Sequence, residues 1–504
     1  MACKTYSMLA TQRRVVFIVI DGMGTEAFEL AVSSGRAPAL SFLRSNSTYV
    51  RDSVAMFPTI TPAATASLVT GEVPARHGIP GMCWYDRDAQ RFINYGQSFR
   101  AAVVQGTGRL VHDFLVNMNA HHLSPNVRTL HEVLHEMGRD TASINFMVFR
   151  GPFEKAVVPN LLHRLFLPWR DVPAALPGPK EHYFADIITG PSDACGGLLK
   201  VRGFDKRMAA TDAYAACVTR DLLRHESADM ILFYLHENDH LSHKHGPQSQ
   251  VDNLAEADRH IAEVLGTYDS WEETLARVGF VVTADHSQSP ISDDRDRILD
   301  IGEVLDDFEQ VRPGKKESFE DRDIAVCGNG RVAFVYLSED RRAFLLPKVV
   351  HTLTECQGID QVMWREGSTY CVRSDRGFMQ FEEAGSQGVV DERGNSWRID
   401  GNLAAVAGVV EENVVRTPEY PLALWRIKSA LDLRRIGDVV ATIKLTWECK
   451  DLAGGNHRGG GDHASLHAQD SLVPFLSTLS SPPLHPATVD VAPHIIEHFR
   501  GLSS

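Results

Sequence analysis

Three short apolar runs, each followed within four residues by an aspartate, constrain the fold of this 504-residue chain most strongly. The runs and their acids are VVFIVI with Asp21, MILFYL with Asp239, and FVVTA with Asp285. Runs of this length that are apolar throughout are typical of strands buried on both faces. The sequence therefore predicts a buried sheet with carboxylates at the ends of its strands.

Helical segments lie between these runs. The segment 248–268 has one apolar face at helical spacing, formed by Val251, Leu254, Ala257, Ile261 and Leu265. The sequence also predicts a helix over residues 126–138 (NVRTLHEVLHEMG) and a strand over residues 141–149 (TASINFMVF). Because strands and helices alternate, the fold class that we expect is α/β, with a mainly parallel sheet flanked by helices.

The sequence pattern changes between about Pro290 and Lys450. Short alternating strands such as RVAFVYL, TYCVRSD, GFMQFEE and SWRIDG follow one another there, and LVPFLSTL near the end of the chain returns to a buried strand. We therefore predict a core made of residues 1–289 and 451–504. Residues 290–450 are predicted to form an inserted α+β cap that sets substrate specificity.

Composition excludes several classes of function. The net charge of −14 argues against a nucleic acid polymer held on a broad basic face, whereas bound metal ions can still attract a small phosphorylated substrate. Eight scattered cysteines without a C-x-x-C pair predict reduced, mostly buried thiols, although two of them can still pair. We find no apolar window long enough to span a membrane and no signal-peptide core, so we expect a cytoplasmic protein.

The acids at the strand ends predict a metal site. In open parallel sheets, ligands bind outside the carboxyl ends of the strands, where three carboxylates repel one another unless cations neutralise them. His243 and His286 lie close to these acids in sequence and supply imidazole, which suits zinc. A glycine-rich loop, GGNHRGGGDHASLH, adds His457, His463 and His467.

Thr61 lies in the stretch FPTITPAATASLVTG, at a change from strand to helix. Pro62 suits the first turn of a helix and Gly71 its end, so we expect Thr61 to be the N-cap residue. Free N–H groups and the positive end of the helix dipole make such a position suitable for phosphate. The alternative is that Thr61 only caps the helix.

Five motifs in order carry a family resemblance: DGM, T-P…SLVTG-x-x-P-x-x-HGI, D-x-x-x-H-x-x-GP, DH, and H-x-S-L…VP. This set resembles the alkaline phosphatase superfamily, and within it the nucleotide pyrophosphatase/phosphodiesterase branch. The resemblance covers residues 14–289 and 454–476, and it implies an alkaline-phosphatase-like core.

The resemblance also implies roles for individual residues. Two divalent ions are expected, zinc first and manganese as the alternative. One ion would be held by Asp239, His243 and His463; the other by Asp21, Asp285, His286 and the oxygen of Thr61. Thr61 would be the nucleophile, and hydrolysis would pass through a phospho-threonine intermediate.

The sequence departs from the family pattern at two positions. Ala64 replaces an asparagine that hydrogen-bonds a phosphoryl oxygen, so we expect this donor to come from Asn94 or from the cap. Ala464 replaces a glycine after the last ligand histidine. The C-x-P-x-R motif of sulfatases is absent near Thr61, and the related phosphoglycerate mutases use serine as nucleophile.

Charge favours a particular kind of ester. The positive charges of two divalent ions balance the negative charges of three aspartates and one alkoxide. A site without net charge suits a singly charged diester better than a dianionic monoester. Arg76 and Arg458 lie near the site loops, and we expect them to serve structure or solvation. His457 is expected behind the ligands or at the surface, with metal ligation as the alternative, and His467 has no assigned role.

These observations together predict a two-metal hydrolase of phosphate esters. The leading prediction is a phosphodiesterase or nucleotide pyrophosphatase that acts on a small phosphorylated substrate. The alternatives are a phosphomonoesterase, a phosphonate hydrolase, or a non-catalytic relative that binds a phosphorylated ligand.

Overall fold

The computed structural model describes residues 13–97, 99–158, 172–185, 187–188, 195, 211–314, 316–385, 387–452, 454–479 and 486–502. Its first large element is a seven-stranded sheet, here called the core sheet. From edge to edge, its strands are Thr48–Val54, Leu472–Ser477, Val278–Thr283, Arg14–Ile20, Met230–Leu235, Thr141–Ile144 and Glu181–Tyr183. The last five of these run parallel, whereas Leu472–Ser477 is antiparallel to both of its neighbours.

Both faces of the core sheet are buried, as the apolar runs predict. In the central strand, Val15, Phe17 and Val19 belong to one hydrophobic cluster. Their neighbours Val16 and Ile18 belong to another on the opposite face. Because side chains alternate along a strand, an unbroken apolar run fills both clusters at once.

Helices cover the core sheet and connect its strands. Between the first strand and residue 277, the described α-helices are Thr25–Ser33, Pro38–Ser45, Thr61–Thr70, Pro74–His77, Phe99–Gln105, Thr107–His112, Leu130–Glu136, Asp212–Arg224, Glu237–His245, Gln250–Leu265 and Trp271–Arg277, with a π-helix at Asp113–His122. Later α-helices are Ile301–Val304, Arg342–Glu355, Ala423–Leu431, Ala468–Ser471 and Val491–Gly501.

A second sheet, here called the cap sheet, lies within the predicted insertion. Its ten strands, from edge to edge, are Ile324–Asn329, Val332–Leu337, Val439–Ile443, Ile359–Glu366, Thr369–Ser374, Gly377–Glu383, Ser396–Gly401, Val389–Val390, Val414–Arg416 and Val409–Glu411. One face shares a hydrophobic cluster with the core: Phe334 and Trp397 lie in the same cluster as Phe57. The other face packs on the helix Arg342–Glu355.

Among the described residues, four short strand pairs accompany the two sheets. They are Cys83–Asp86 with Arg91–Asn94, Phe153–Ala156 with Ala175–Gly178, Ser289–Pro290 with Gly461–Asp462, and Ile298–Leu299 with Glu448–Cys449. The third pair joins the beginning of the predicted insertion to the chain that follows it, and the fourth joins the first and last segments of the insertion to each other. The insertion therefore leaves and re-enters the core at one place.

The predicted α/β fold is confirmed, and two element boundaries are corrected. The helix predicted over residues 126–138 spans only Leu130–Glu136, because Thr129 caps it and forms a reciprocal capping box with Glu132. The strand predicted over residues 141–149 ends at Ile144, because Asn145 takes a φ of 56° and leaves the extended conformation.

The cysteine prediction is corrected for one pair. Cys195 and Cys217 form a disulfide with a Cα–Cα distance of 5.8 Å, whereas the free cysteines among the described residues are Cys83, Cys327, Cys356, Cys371 and Cys449. Cys3 lies outside the described residues. No described helix combines the length and the apolar character that a membrane crossing requires.

Candidate metal centre

The core sheet brings the three strand-end acids to one edge. Asp21 and Asp285 follow two adjacent parallel strands, and Asp239 lies in the first turn of the helix Glu237–His245. His243 lies four residues after Asp239, so both side chains point to the same side of that helix. Parallel strands align their carboxyl ends, which explains why acids distant in sequence meet.

Thr61 is the first residue of its helix, not the N-cap. The cap position belongs to Ile60, which has an extended backbone and no capping side chain. Thr61 is 6% exposed, and its hydroxyl lies 3.1 Å from Nε2 of His286. The predicted capping role is therefore wrong, and the hydroxyl faces the acids instead. Gly71 ends the helix in the left-handed conformation, as predicted.

Asp21, Asp285 and His286 form a compact inner group. Nε2 of His286 lies 3.4 Å from Asp21 Oδ1 and 3.6 Å from Asp285 Oδ2. Both of these carboxylate oxygens are buried without a hydrogen-bond partner, whereas the opposite oxygens accept bonds from Tyr234 and from Gly22 N. Buried oxygens without a donor are costly, and a cation between them would satisfy both.

A second, outer group of side chains lies around Asp239 and includes His243 and His463. Asp239 Oδ2 lies 3.3 Å from Nε2 of His243, and its Oδ1 lies 3.9 Å from Nε2 of His463. Nδ1 of His243 is 2.8 Å from the carbonyl of Gly461, and Nδ1 of His463 is 2.6 Å from the carbonyl of Thr59. A backbone carbonyl at Nδ1 fixes the tautomer that leaves the Nε2 lone pair free for a metal.

The ligand groups are tighter than the predicted sets and are divided differently. One ligand atom from each of Asp239, His286 and His463 falls within 4.8 Å of the other two, and the rings of His286 and His463 stack at 3.6 Å. His243 forms such a group with His457 and Asp462 instead. The predicted trio of Asp239, His243 and His463 therefore meets around Asp239, but it does not form a group whose ligand atoms all lie within 4.8 Å of one another.

The raised carboxyl pKa values at the site indicate that positive charge is missing there. Burial and the repulsion of Asp239 and Asp285 raise the pKa of Asp21 well above its usual range, and burial together with Asp239 raises the pKa of Asp285 to about 7. Burial opposes ionisation of Asp239 too, but His243 and its neighbours hold the pKa of Asp239 well below normal. Burial and then His286 lower the pKa of His463 to about 4, so its ring is neutral at pH 7 and able to bind a metal. The residues present fit divalent cations.

Two supporting residues escaped the sequence analysis. The hydroxyl of Tyr234 donates to Asp21 Oδ2, and Nε2 of Gln288 donates to Asp239 Oδ1. Tyr234 lies inside an apolar run, where nothing in the sequence distinguishes it from a core residue. Gln288 follows the DHS motif closely enough to be noticed, but its partner is known only from the fold. Gly22, with a φ of 68°, leaves room that a Cβ would fill at 2.9 Å from Asp239 Oδ1.

A cavity of about 740 Å³ opens onto this site. Its wall includes Thr61, Asp239, His243 and His463 from the core, and Asn329 and Gly330 from the cap sheet. Asn94 does not line it: its Oδ1 accepts the N–H groups of Gly96 and Gln97, and the side chain that reaches the wall from this turn is Gln97.

The remaining predicted residues are spread more widely. Arg458 and His457 line the cavity, whereas Arg76 lies outside it, 3.8 Å from Glu72. His467 caps the short helix Ala468–Ser471 by accepting the N–H of Gln469 at its Nδ1. Ala464 has a φ of 100°, which explains why relatives place glycine here.

Comparison with solved structures supports the fold. Murine ectonucleotide pyrophosphatase/phosphodiesterase 5 aligns over 97% of this chain and 95% of its own, with 11% identity and a TM-score of 0.56. Phosphonoacetate hydrolase from Sinorhizobium meliloti 1021, in complex with phosphonoacetate, aligns over the same shares with 16% identity and a TM-score of 0.57. An inactive threonine-to-alanine variant of the murine protein, in complex with AMP, is similar at a TM-score of 0.55 and 12% identity, over 97% of this chain and 95% of that one.

The sequence itself gives the family. No curated protein sequence matches the chain. The family model for type I phosphodiesterase/nucleotide pyrophosphatase matches residues 15–377, which include all of the predicted ligands except His463, and Thr61 as well. Since the match covers more than half of the chain, the protein belongs to the type I phosphodiesterase/nucleotide pyrophosphatase family.

Proposed function

We propose that this chain is a two-metal phosphodiesterase or nucleotide pyrophosphatase that acts through Thr61. The observation that carries the proposal is the position of the Thr61 hydroxyl, which lies at the start of a helix and 3.1 Å from His286. His286 in turn lies between Asp21 and Asp285, whose facing oxygens have no other partner. A hydroxyl this close to a cation site can be activated as a nucleophile.

The chain supplies a ligand set for two divalent ions. Asp21, Asp285, His286 and the Thr61 oxygen would hold one ion; Asp239, His243 and His463 would hold the other. Imidazole and carboxylate donors without thiolate suit zinc, and manganese is the alternative. When bound, such ions lower the pKa of a coordinated hydroxyl and neutralise negative charge on phosphoryl oxygens.

The residues of the chain then carry the reaction. Oγ1 of Thr61 attacks phosphorus and loses its proton to solvent, while the bond from phosphorus to the leaving oxygen breaks and a phospho-threonine forms. Water then attacks the same phosphorus, the bond from phosphorus to Oγ1 breaks, the phosphate product leaves, and Oγ1 takes up a proton to restore the Thr61 hydroxyl. The amino end of the helix Thr61–Thr70 presents N–H groups and a positive dipole toward the phosphoryl oxygens.

The cap adds Asn329 and Gly330 to the wall of the cavity, and on this basis we propose that it sets specificity. The division at residues 290 and 450 stays a prediction. The substrate that we propose is a small phosphodiester or nucleotide-like compound. Nothing in the site calls for a nucleic acid polymer, since the net charge is −14.

A hydrolysis panel tests the proposal. Protein stripped with a chelator and reloaded with Zn²⁺ or Mn²⁺ is compared on bis-p-nitrophenyl phosphate, p-nitrophenyl phosphate, a nucleotide sugar and phosphonoacetate. We expect the diester or the nucleotide sugar to turn over fastest, and chelated protein to be inactive. Absence of turnover with both metals would instead favour a non-catalytic relative, in which case AMP binding by calorimetry should persist.

A phosphonate hydrolase is the second candidate. It is favoured by Ala64, which stands where diesterases of the family place an asparagine, and by the structural similarity to phosphonoacetate hydrolase. Phosphate release from phosphonoacetate at a higher kcat/KM than product release from any ester would establish this alternative. A phosphomonoesterase would show its preference for p-nitrophenyl phosphate in the same panel.

A further inference from the structure

The loop that carries His463 brings together a second set of metal-binding side chains in the same cavity. They are Glu448, His457 and Asp462, called here the loop site. Nδ1 of His457 lies 2.8 Å from Glu448 Oε1 and 3.6 Å from Asp462 Oδ2. All three line the cavity. They play no part in the proposed two-metal chemistry.

The loop site holds an oxygen that lacks a partner. Asp462 is 2% exposed, and its Oδ1 accepts the N–H of His463 at 2.8 Å. Its Oδ2 is buried with no hydrogen-bond partner. Gly330 approaches this oxygen so closely that a Cβ there would lie 2.5 Å away, so the cap backbone closes over the site. An orphaned carboxylate oxygen next to an imidazole nitrogen is a feature of cation sites.

Glu448 is also buried, and hydrogen bonds fix its carboxylate. It is 1% exposed, and its two carboxylate oxygens accept the backbone N–H of His457 at 3.0 and 2.8 Å. These bonds orient the carboxylate toward the ring of His457, whose side chain is 41% exposed. The ring therefore connects two buried carboxylates with the cavity, which provides an entry path for an ion.

His243 lies beside the loop site but is already engaged. Its ring stacks on that of His457 at 4.2 Å, and one ligand atom from each of His243, His457 and Asp462 lies within 4.8 Å of the others. Nε2 of His243 faces Asp239, and Nδ1 faces the carbonyl of Gly461. His457 and Asp462 therefore remain for a further ion, and Glu448 reaches the same ring nitrogen of His457 at 2.8 Å.

We propose that Glu448, His457 and Asp462 hold a third divalent cation, next to the two-metal centre and in the wall of the same cavity. One imidazole nitrogen and two carboxylate oxygens suit Zn²⁺ or Mn²⁺. The ion takes the place of the proton on Nδ1 of His457, which is released to solvent on binding. Positive charge at this place would attract a second anionic group on a substrate.

Metal content tests this proposal directly. The full-length protein is stripped with a chelator, reloaded with Zn²⁺, passed through a desalting column and analysed by inductively coupled plasma mass spectrometry. We expect three ions per chain for the wild type and two for His457→Ala and for Glu448→Gln. The matched control is His245→Ala, which removes an exposed histidine from the helix of His243 and should leave three ions.

The two variants guard against local misfolding, since Glu448→Gln changes no volume. Equal metal content in the wild type and both loop-site variants would overturn the inference, whether that content is two ions or three. A wild type with two ions that hydrolyses the diester would overturn only the third site. A wild type that binds one ion, loses it in His457→Ala and hydrolyses nothing would sustain the loop site and refute the proposed function.

Discussion

At the residue scale, substitution of Thr61 tests catalysis rather than stability, because its hydroxyl does not hold the helix or the backbone in place. It does not cap its helix, and its one side-chain contact is with His286. We expect Thr61→Ala to lower kcat roughly a thousandfold or more, because loss of a covalent nucleophile acts on the chemical step. Steady-state kinetics with the best substrate of the panel, together with metal analysis, would measure this.

Two further variants separate chemistry from local damage. Thr61→Ser keeps the hydroxyl and should retain substantial activity. Thr70→Ala removes a hydroxyl from the other end of the same helix, where Thr70 bonds the carbonyl of Ala66, and should leave kcat unchanged. A Thr61→Ala protein that keeps its metals and the wild-type kcat would show that another group attacks phosphorus.

The buried carboxylates predict how the metal-free protein responds to pH. Burial and the repulsion of Asp239 raise the pKa of Asp285 to about 7, above its value of about 3.9 in an unfolded chain. A raised carboxyl pKa stabilises the fold at low pH, and this contribution is lost as the pH rises through about 7. The loss is at most about 1.4 kcal/mol per pH unit and per carboxylate. Between pH 6.5 and 8.5, chelated wild type should therefore lose about 1 kcal/mol of stability relative to an equally chelated Asp285→Asn protein.

Thermal unfolding followed by circular dichroism checks this expectation. The comparison is needed because burial lowers the pKa values of several histidines, among them His77, His131 and His286, and these histidines stabilise the fold as the pH rises. Both proteins contain them, so their contribution cancels in the difference. Zinc-loaded wild type should show a smaller difference from its Asp285→Asn counterpart, since the ions compensate the carboxylates. A chelated wild type whose stability changes with pH in the same way as that of chelated Asp285→Asn would contradict the argument.

At the element scale, sequence patterns located the strands well and the fine geometry of the site poorly. The run MILFYL is a strand from Met230 to Leu235, as predicted, because an unbroken apolar run has few alternatives to a buried strand. The capping role of Thr61 was wrong by one position, since Pro62 is equally acceptable at the first or second helical residue. Tyr234 and Asp462 were missed because their roles depend on neighbours more than 200 residues away or on a loop conformation.

The end of the Thr61 helix offers a test of an element rather than of the site. Gly71 has a φ of 69°, and a Cβ there would lie 2.7 Å from the ring of Pro493. Gly71→Ala should cost about 1–2 kcal/mol for the left-handed backbone alone, with a further cost for the contact with Pro493. Urea denaturation would give the loss. Since Gly71 is one helix length from Thr61, kcat should stay within about twofold of the wild type.

At the scale of the whole molecule, the cap and the core are joined by more than their two connections. The turn between the cap strands Ile324–Asn329 and Val332–Leu337 reaches the metal centre, where the N–H of Arg331 donates to the carbonyl of His463 at 3.0 Å. Because the two sheets also share one hydrophobic cluster, removal of the insertion would expose apolar core surface. The contribution of the cap to specificity is therefore better tested by substitutions than by deletion.

The buried ion pair of Arg331 and Asp470 joins the cap to the core, and its contribution to the free energy of unfolding can be measured. Both side chains are fully buried, and Arg331 Nη2 lies 2.8 Å from Asp470 Oδ2. Burial works against the charge on Asp470, but Arg331 holds the pKa of that carboxyl below its usual range. Arg331→Met would leave a buried carboxylate with only the donors of Ser289 and Ser465, and we expect it to cost about 3–5 kcal/mol of the free energy of unfolding. The double variant Arg331→Met/Asp470→Asn should recover part of this loss, because it removes the uncompensated charge.

Urea denaturation followed by circular dichroism and by tryptophan fluorescence should show one shared transition in every variant. Separate transitions for cap and core, or a loss below about 1 kcal/mol for Arg331→Met, would show that the two units are stabilised independently.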